Sequence, residues 1–198
     1  MSKEQTKEQI QKINRLKLLS LLALMLAPVV ISYGLFFSDY RPGSANYGEI
    51  LDVKKISGSG GVNQVDNTIF RMRDLRGKWV MLMIDSGACD EVCKTKLWQM
   101  RQVRLVQNKE MKRVERLWLV DDNTAVGADL HEDFEGTFFI NAKDSELLAL
   151  ITPVETQRNH IYIIDPLGNL MMRFPENADP TLMGKDLKRL LHVSQMEH

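Results

Sequence analysis

The sequence predicts an α/β sandwich built on a mixed β-sheet, preceded by one N-terminal transmembrane helix. Three observations predict it. Residues 18–37, LLSLLALMLAPVVISYGLFF, carry no charge, and 20 apolar residues are enough to cross a bilayer as a helix. Residues 79–84, 115–120 (apolar over Leu117–Val120) and 160–164 (apolar over Ile161–Ile164) have the short apolar content and the length expected for buried strands. Stretches of helical periodicity lie between and after them. The resulting order, β-α-β-(α)-β-β-α, is that of helices packed on a mixed sheet.

The elements follow in order. Residues 1–17 hold five basic residues (Lys3, Lys7, Lys12, Arg15, Lys17) against Glu4 and Glu8, a net charge of +3. Positive charge before the apolar run keeps this tail in the cytoplasm and sends the rest of the chain outward, into a periplasm or an equivalent compartment. Residues 18–37 form the anchor, with Pro28 tolerated there better than in a soluble helix. The rival is a cleaved signal peptide, but its apolar region is usually shorter, and no clear small-x-small cleavage site directly follows Phe37. Residues 38–48, SDYRPGSANYG, read as a linker, and residues 49–195 as the folded domain. Residues 50–56 alternate apolar and polar, an edge strand or hairpin, and the glycine-serine stretch 57–61 reads as a loop. Residues 91–107 carry Val92, Leu97, Met100, Val103 and Val106 as a helical stripe. Residues 145–151 suggest a short helix. Residues 165–169 form the turn of a hairpin that returns through 170–174. Residues 181–193, with Met183, Leu187, Leu190 and Leu191 on one face, close the domain as a helix.

Composition narrows the function. The 198 residues carry 26 basic and 26 acidic side chains, so nothing marks a general nucleic-acid binder. There is no phosphate-cradling glycine loop and no H-E-x-x-H, so neither a nucleotide nor a zinc-protease function has support. Two cysteines cannot build a disulfide framework, so their role must be local.

Those two are Cys89 and Cys93, in the segment SGACDEVC between the first buried strand and its helix. A cysteine at a strand-to-helix junction lies near the positive end of the helix dipole, which favours thiolate. Asp90 and Glu91 suit a helix N-terminus but oppose that charge. With the first turn helical, Cys93 shares a face with Cys89. Such a pair forms a disulfide or holds a soft metal such as copper. The alternative, two small buried hydrophobes, fits less well with two cysteines four apart at a helix start in an oxidising compartment.

Residues 74–83, DLRGKWVMLM, resemble the approach strand of thioredoxin-like proteins. Cys89-x-x-x-Cys93, with Val92 before the second cysteine and Leu97 after it, resembles the Sco/SenC family, as does the hairpin sequence IYIIDPLG at 161–168. The resemblance implies a thioredoxin-like fold with an N-terminal transmembrane anchor in the inner membrane and a domain facing the periplasm. It implies a copper chaperone that assists assembly of the cytochrome c oxidase copper site, with an oxidase subunit or another copper-assembly protein as partner. Three features depart from the family. Lys94 stands where proline usually follows the second cysteine. Asp85, Ser86, Gly87 and Ala88 replace an aromatic-rich run. Gln157 stands nine residues before Pro166, where the family carries its copper-binding histidine. The nearby histidine is His160, in the slot that holds the cis-proline of thioredoxins. The metal set expected from the resemblance is therefore Cys89, Cys93 and His160. The other reading of His160 is a strand-start histidine bonded to a loop.

Remaining candidates are weaker. His131 lies in an acidic segment and reads as part of a solvated loop. Asp121 and Asp122 end a strand at the edge where thioredoxin-like sites lie, in a turn role or an active-site one. Met81 and Met83 share a strand face near Cys89 and read as core. Met171 and Met172 face opposite ways. Trp79, Trp98 and Trp118 read as core or interface aromatics. Three functions follow: a Sco-like copper chaperone, a thiol–disulfide reductase in which Cys89 attacks and Cys93 resolves, or an assembly subunit with neither chemistry.

Overall fold

A computed structural model describes residues 2–37, 46–56, 58–151 and 156–194. The chain forms two compact units, Met1–Ala45 and Asn46–His198. Residues 38–45 of the expected linker lie outside the described residues, as does Ser57.

The first unit is helix α1, Ser2–Phe37, with Pro28 inside it. Its segment Lys12–Gly34 is long and apolar enough to cross a membrane by length and composition. At 1.5 Å per residue those 23 residues rise about 34 Å, against a hydrocarbon core of about 30 Å.

The second unit is one eight-stranded mixed sheet with helices on both faces. Its strands are β1 (Glu49–Lys55), β2 (Ser59–Asn63), β3 (Ile69–Arg71), β4 (Trp79–Asp85), β5 (Val114–Val120), β6 (Thr137–Asn141), β7 (Ile161–Ile164) and β8 (Asn169–Arg173). Their order is β1-β8-β7-β4-β5-β6-β2-β3. Strands β4, β5 and β6 run parallel at the centre, and β7 flanks β4 antiparallel. The helices are α2 (Glu91–Leu105), α3 (Ala128–Asp133), α4 (Glu146–Leu150) and α5 (Pro180–Val193).

Strand alternation sorts the core into two layers. Trp79, Met81 and Met83 of β4 pack with Leu97, Met100 and Val103 of α2 and with Met183, Leu187 and Leu191 of α5. Val80, Leu82 and Ile84 point the other way, to Leu117, Leu119 and Leu147. All seven residues of β4 are buried, which explains its unbroken apolar sequence. Met81 and Met83 are core residues, as expected. Trp79 and Trp118 are buried, whereas Trp98 is half exposed on α2.

Helix boundaries follow local chemistry. The Asp90 carboxylate accepts from Cys93 N–H at the start of α2 (2.9 Å), and the Asp179 carboxylate accepts from Thr181 N–H at the start of α5 (2.7 Å), where Pro180 opens the helix. Two readings need correction. The glycine-serine stretch is not only a loop, because Ser59–Asn63 is strand β2, paired with β3 and β6. Gly61 makes this pairing fit: its φ is +133°, and a Cβ there would lie 1.8 Å from the Asn141 carbonyl oxygen. The segment after residue 127 is not a solvated loop either. His131 lies in α3, its ring half-buried and 4.3 Å from the Phe139 ring centroid.

Candidate functional site

The parallel register sets the end of β4 beside the end of β5, Asp85 opposite Val120. The loops leaving both strands therefore emerge together, joined by a hydrogen bond from Asp121 N–H to the Asp85 carbonyl (3.2 Å). The first loop, 86–90, leads into α2 and carries Cys89. The second begins with Asp121 and Asp122.

Cys89 and Cys93 are joined in a disulfide, with an S–S distance of 2.05 Å and Cα atoms 5.1 Å apart. Cys93 is fully enclosed in the first turn of α2, while Cys89 keeps 4% exposure at its lip. Cys89 has φ of +44°, a left-handed backbone that costs a non-glycine residue about 1 kcal/mol. Its N–H donates to the Ser86 carbonyl (3.1 Å), closing a tight turn.

Three polar links hold this turn. The Ser86 hydroxyl donates to the Asp122 carboxylate at 2.5 Å, and Gly87 N–H donates to the same carboxylate at 3.2 Å. Burial acts to raise the Asp122 carboxyl. Hydrogen bonds from the Ser86 hydroxyl and from the Thr124 and Gly87 N–H groups outweigh it and hold the pKa at about 2. Gly87 has no room for a side chain, since a Cβ there would sit 1.9 Å from the Thr124 carbonyl oxygen.

The second link is a buried ion pair. Lys96, one turn beyond Cys93, places Nζ 2.6 Å from Asp85 Oδ2, with only 7% and 11% of the two side chains exposed. The same ammonium donates to the Ile84 carbonyl at 3.4 Å and to the Arg158 carbonyl. It thus ties the end of β4, the start of α2 and the turn before β7 into one unit. The third link is Arg158, whose guanidinium holds the Asp121 carboxylate through two hydrogen bonds of 2.8 and 2.7 Å. The hydrogen bond to Asp121 raises the Arg158 pKa.

Of the sequence-derived candidates, the structure brings together Cys89, Cys93, Asp121 and Asp122. His160 stands just before β7. The His160 ring lies 6.1 Å from the Tyr162 ring, and its Nδ1 is 2.8 Å from the Phe174 carbonyl oxygen. Tyr162 belongs to the core layer on the opposite face from the two cysteines. Gln157 is committed too, its amide donating to the Leu148 carbonyl (2.8 Å) and to the Ile151 carbonyl. Among the described residues, no group of three or more His, Cys, Asp or Glu side chains is placed to hold a metal ion.

Asp85, Ser86, Gly87 and Lys96 were not singled out in the sequence as site residues. For Lys96 a signal existed: it lies three residues after Cys93 and four before Met100, on the buried stripe of α2. A lysine there needs a buried partner.

Known proteins agree with this architecture. No curated protein matches the sequence. Among solved structures, the chain is similar to Bradyrhizobium japonicum ScoI with copper bound, at 20% identity and a TM-score of 0.52 over 68% of this chain and 98% of that one. It is similar to yeast Sco1 with copper bound, at 14% identity and a TM-score of 0.56 over 71% and 90%. It is equally similar to a DsbF homologue from Corynebacterium diphtheriae, at 12% identity and a TM-score of 0.56 over 76% and 97%. These likenesses establish the thioredoxin-like fold. Residues 79–194, from β4 through α5, match the family described as a transmembrane-like, thioredoxin-like, C-terminal domain, and the chain belongs to that family.

Proposed function

We propose that this chain is a membrane-anchored, Sco-like thiol–disulfide oxidoreductase whose domain faces the periplasm. The observation that carries the reading is the Cys89–Cys93 disulfide at the N-terminus of α2, in a loop pinned by Asp122 and by the Lys96–Asp85 pair.

The chemistry follows from the two environments. In the reduced protein, Cys89 at the lip attacks one sulfur of a partner disulfide as thiolate. A mixed disulfide forms and the partner's other sulfur leaves as thiolate. Cys93, held four residues on, then attacks Cys89 Sγ and gives its proton to the departing partner sulfur. The partner is reduced to a dithiol, and the chain is left oxidised as described here. The positive end of the α2 dipole favours thiolate at this position, whereas the charges of Asp90 and Glu91 oppose it. The fold likeness to Sco proteins suggests the substrate: the copper-site disulfide of a terminal oxidase, or that of another copper-handling protein.

A second reading, copper delivery, is favoured by the copper-bound Sco structures with the same fold. The reduced pair supplies two soft sulfurs that suit copper(I). Among the described residues, no group of three or more His, Cys, Asp or Glu side chains is placed to hold a metal ion, and His160 Nδ1 is engaged with the Phe174 carbonyl while Nε2 is the nitrogen that would ligate. Exchange therefore leads and copper follows.

Two measurements on the reduced full chain in detergent separate the readings. Thiol release from a disulfide peptide, lost in both Cys89→Ser and Cys93→Ser under turnover with a dithiol, supports exchange. Tight one-to-one copper(I) binding without catalysed exchange would replace it with the chaperone reading, and a loss on His160→Ala would bring that histidine into the set. Neither activity would leave an assembly subunit that only keeps the fold.

A further inference from the structure

The side-chain polar atoms that are buried without a hydrogen-bond partner, among the described residues, come from three residues: Arg116 Nε and Nη1, Thr137 Oγ1 and His131 Nδ1. Arg116 and Thr137 are directly opposite each other on β5 and β6, so their side chains share a face. Arg116 is 96% buried, at 4% relative exposure, yet its guanidinium has one hydrogen bond, from Nη2 to the Glu135 carbonyl (2.5 Å). A buried cation left this way costs free energy unless something pairs it.

Two more guanidiniums line the same cleft, of about 240 Å³. Arg104 spends Nε on the Val114 carbonyl (2.7 Å) and Arg101 spends Nη1 on the Asp133 carbonyl (3.0 Å), which leaves donors on both. Among the described residues, no carboxylate oxygen lies within 4.0 Å of any of the three guanidiniums. Glu132, Asp133 and Glu135 line the cleft as exposed residues at its rim. Burial, then repulsion from Arg104 and Arg101, lowers the Arg116 pKa to about 10, against a smaller opposing attraction from Glu115.

From these observations we infer that the cleft between the end of α2 and the start of β5 and β6 binds a phosphate oxyanion, held by Arg116 with Arg101 and Arg104. Three forks converging from two elements offer more donors than the two oxygens of one carboxylate accept, and a tetrahedral oxyanion matches them better. The site is distinct from the disulfide. Arg101 and Arg104 lie eight and eleven residues beyond Cys93, about 12–17 Å along the helix axis. The inference is independent of the thiol chemistry. A phosphate oxyanion reaches a membrane-anchored domain from two sources, the free ion or a lipid headgroup.

The test is thermal unfolding of the full chain, followed in nanodiscs of phosphatidylcholine with sodium phosphate against sodium chloride at matched ionic strength. A parallel arm uses nanodiscs containing phosphatidic acid without added phosphate. A saturable rise in Tm of about 4 °C in the first arm identifies the free ion. The same rise confined to the second arm identifies the headgroup. Both must vanish in Arg116→Met and in the Arg101→Gln/Arg104→Gln variant, each checked for a native disulfide and circular dichroism spectrum. No response in either arm, or an equal response in the variants, would overturn the site and leave Arg116 and Thr137 to ordered water.

Discussion

The two ends of α2 handle buried charge in opposite ways. At the Cys93 end, Lys96 is paired with Asp85, Arg158 with Asp121, and Asp122 with the Ser86 hydroxyl and Gly87 N–H. At the far end, Arg116 is as deeply buried as Lys96 but meets one backbone carbonyl and two neighbouring arginines. Matched charge fixes one geometry, since removing either partner strands the other. Unmatched charge destabilises the chain alone and favours whatever neutralises it. The disulfide loop is thus held in one geometry, as the proposed exchange requires, and the proposed arginine site is left open to a ligand.

The sharpest way to break the comparison is Lys96→Met. It leaves the Asp85 carboxylate buried and uncompensated, and should cost about 3–5 kcal/mol in urea unfolding, with most of it recovered in Lys96→Met/Asp85→Asn. A cost below about 1 kcal/mol would mean that the pair does not organise this end. Gly87→Ala should cost about 1–3 kcal/mol, because the new methyl collides with the Thr124 carbonyl and the loop must shift. It should also slow disulfide exchange, read as thiol release with time. At the other end, Arg116→Met removes a poorly partnered buried cation. In chloride buffer it should be neutral or raise stability by about 1 kcal/mol, whereas a large loss would show that the charge is satisfied within the protein.

The smallest effect is set by pH. The Asp122 carboxyl has a folded pKa of about 2, below its usual 3.8. A depressed carboxylate contributes stability above its unfolded pKa and loses it as pH falls through the folded one. Stability should therefore fall between about pH 4 and pH 2, and Asp122→Asn should flatten that window in denaturation curves. Asp122 is only half-buried, so solvent screening keeps its share small.

Much of the architecture was legible because it depends on local pattern. The run 79–84 had to be a doubly buried strand; on α5 the stripe faces the core, and on α2 Leu97, Met100 and Val103 do, whereas Val92 and Val106 at its two ends are exposed. The central strand β6 escaped notice because its apolar run is only Phe138, Phe139 and Ile140, and pairing with β5 and β2 fixes it. Strand β2 was hidden by glycines, whose purpose at Gly61 is close approach to Asn141, a contact 80 residues away. At the site, the cysteines and the two aspartates announced themselves by position at strand ends. His160 could not be resolved from sequence, since one residue of register decides which face a strand-start side chain takes. The partners of Lys96 and Arg116 were equally hidden, because they depend on which segments the fold brings together.

The central claim is that Cys89 attacks and Cys93 resolves. Its most direct test is the mass of the reduced full chain after oxidised glutathione is added. The wild type should return to the internal disulfide with release of two glutathione thiols, Cys93→Ser should hold one glutathione on Cys89, and Cys89→Ser should stay unmodified. Glutathione retained on Cys93 in Cys89→Ser, with none on Cys89 in Cys93→Ser, would contradict the assignment of roles.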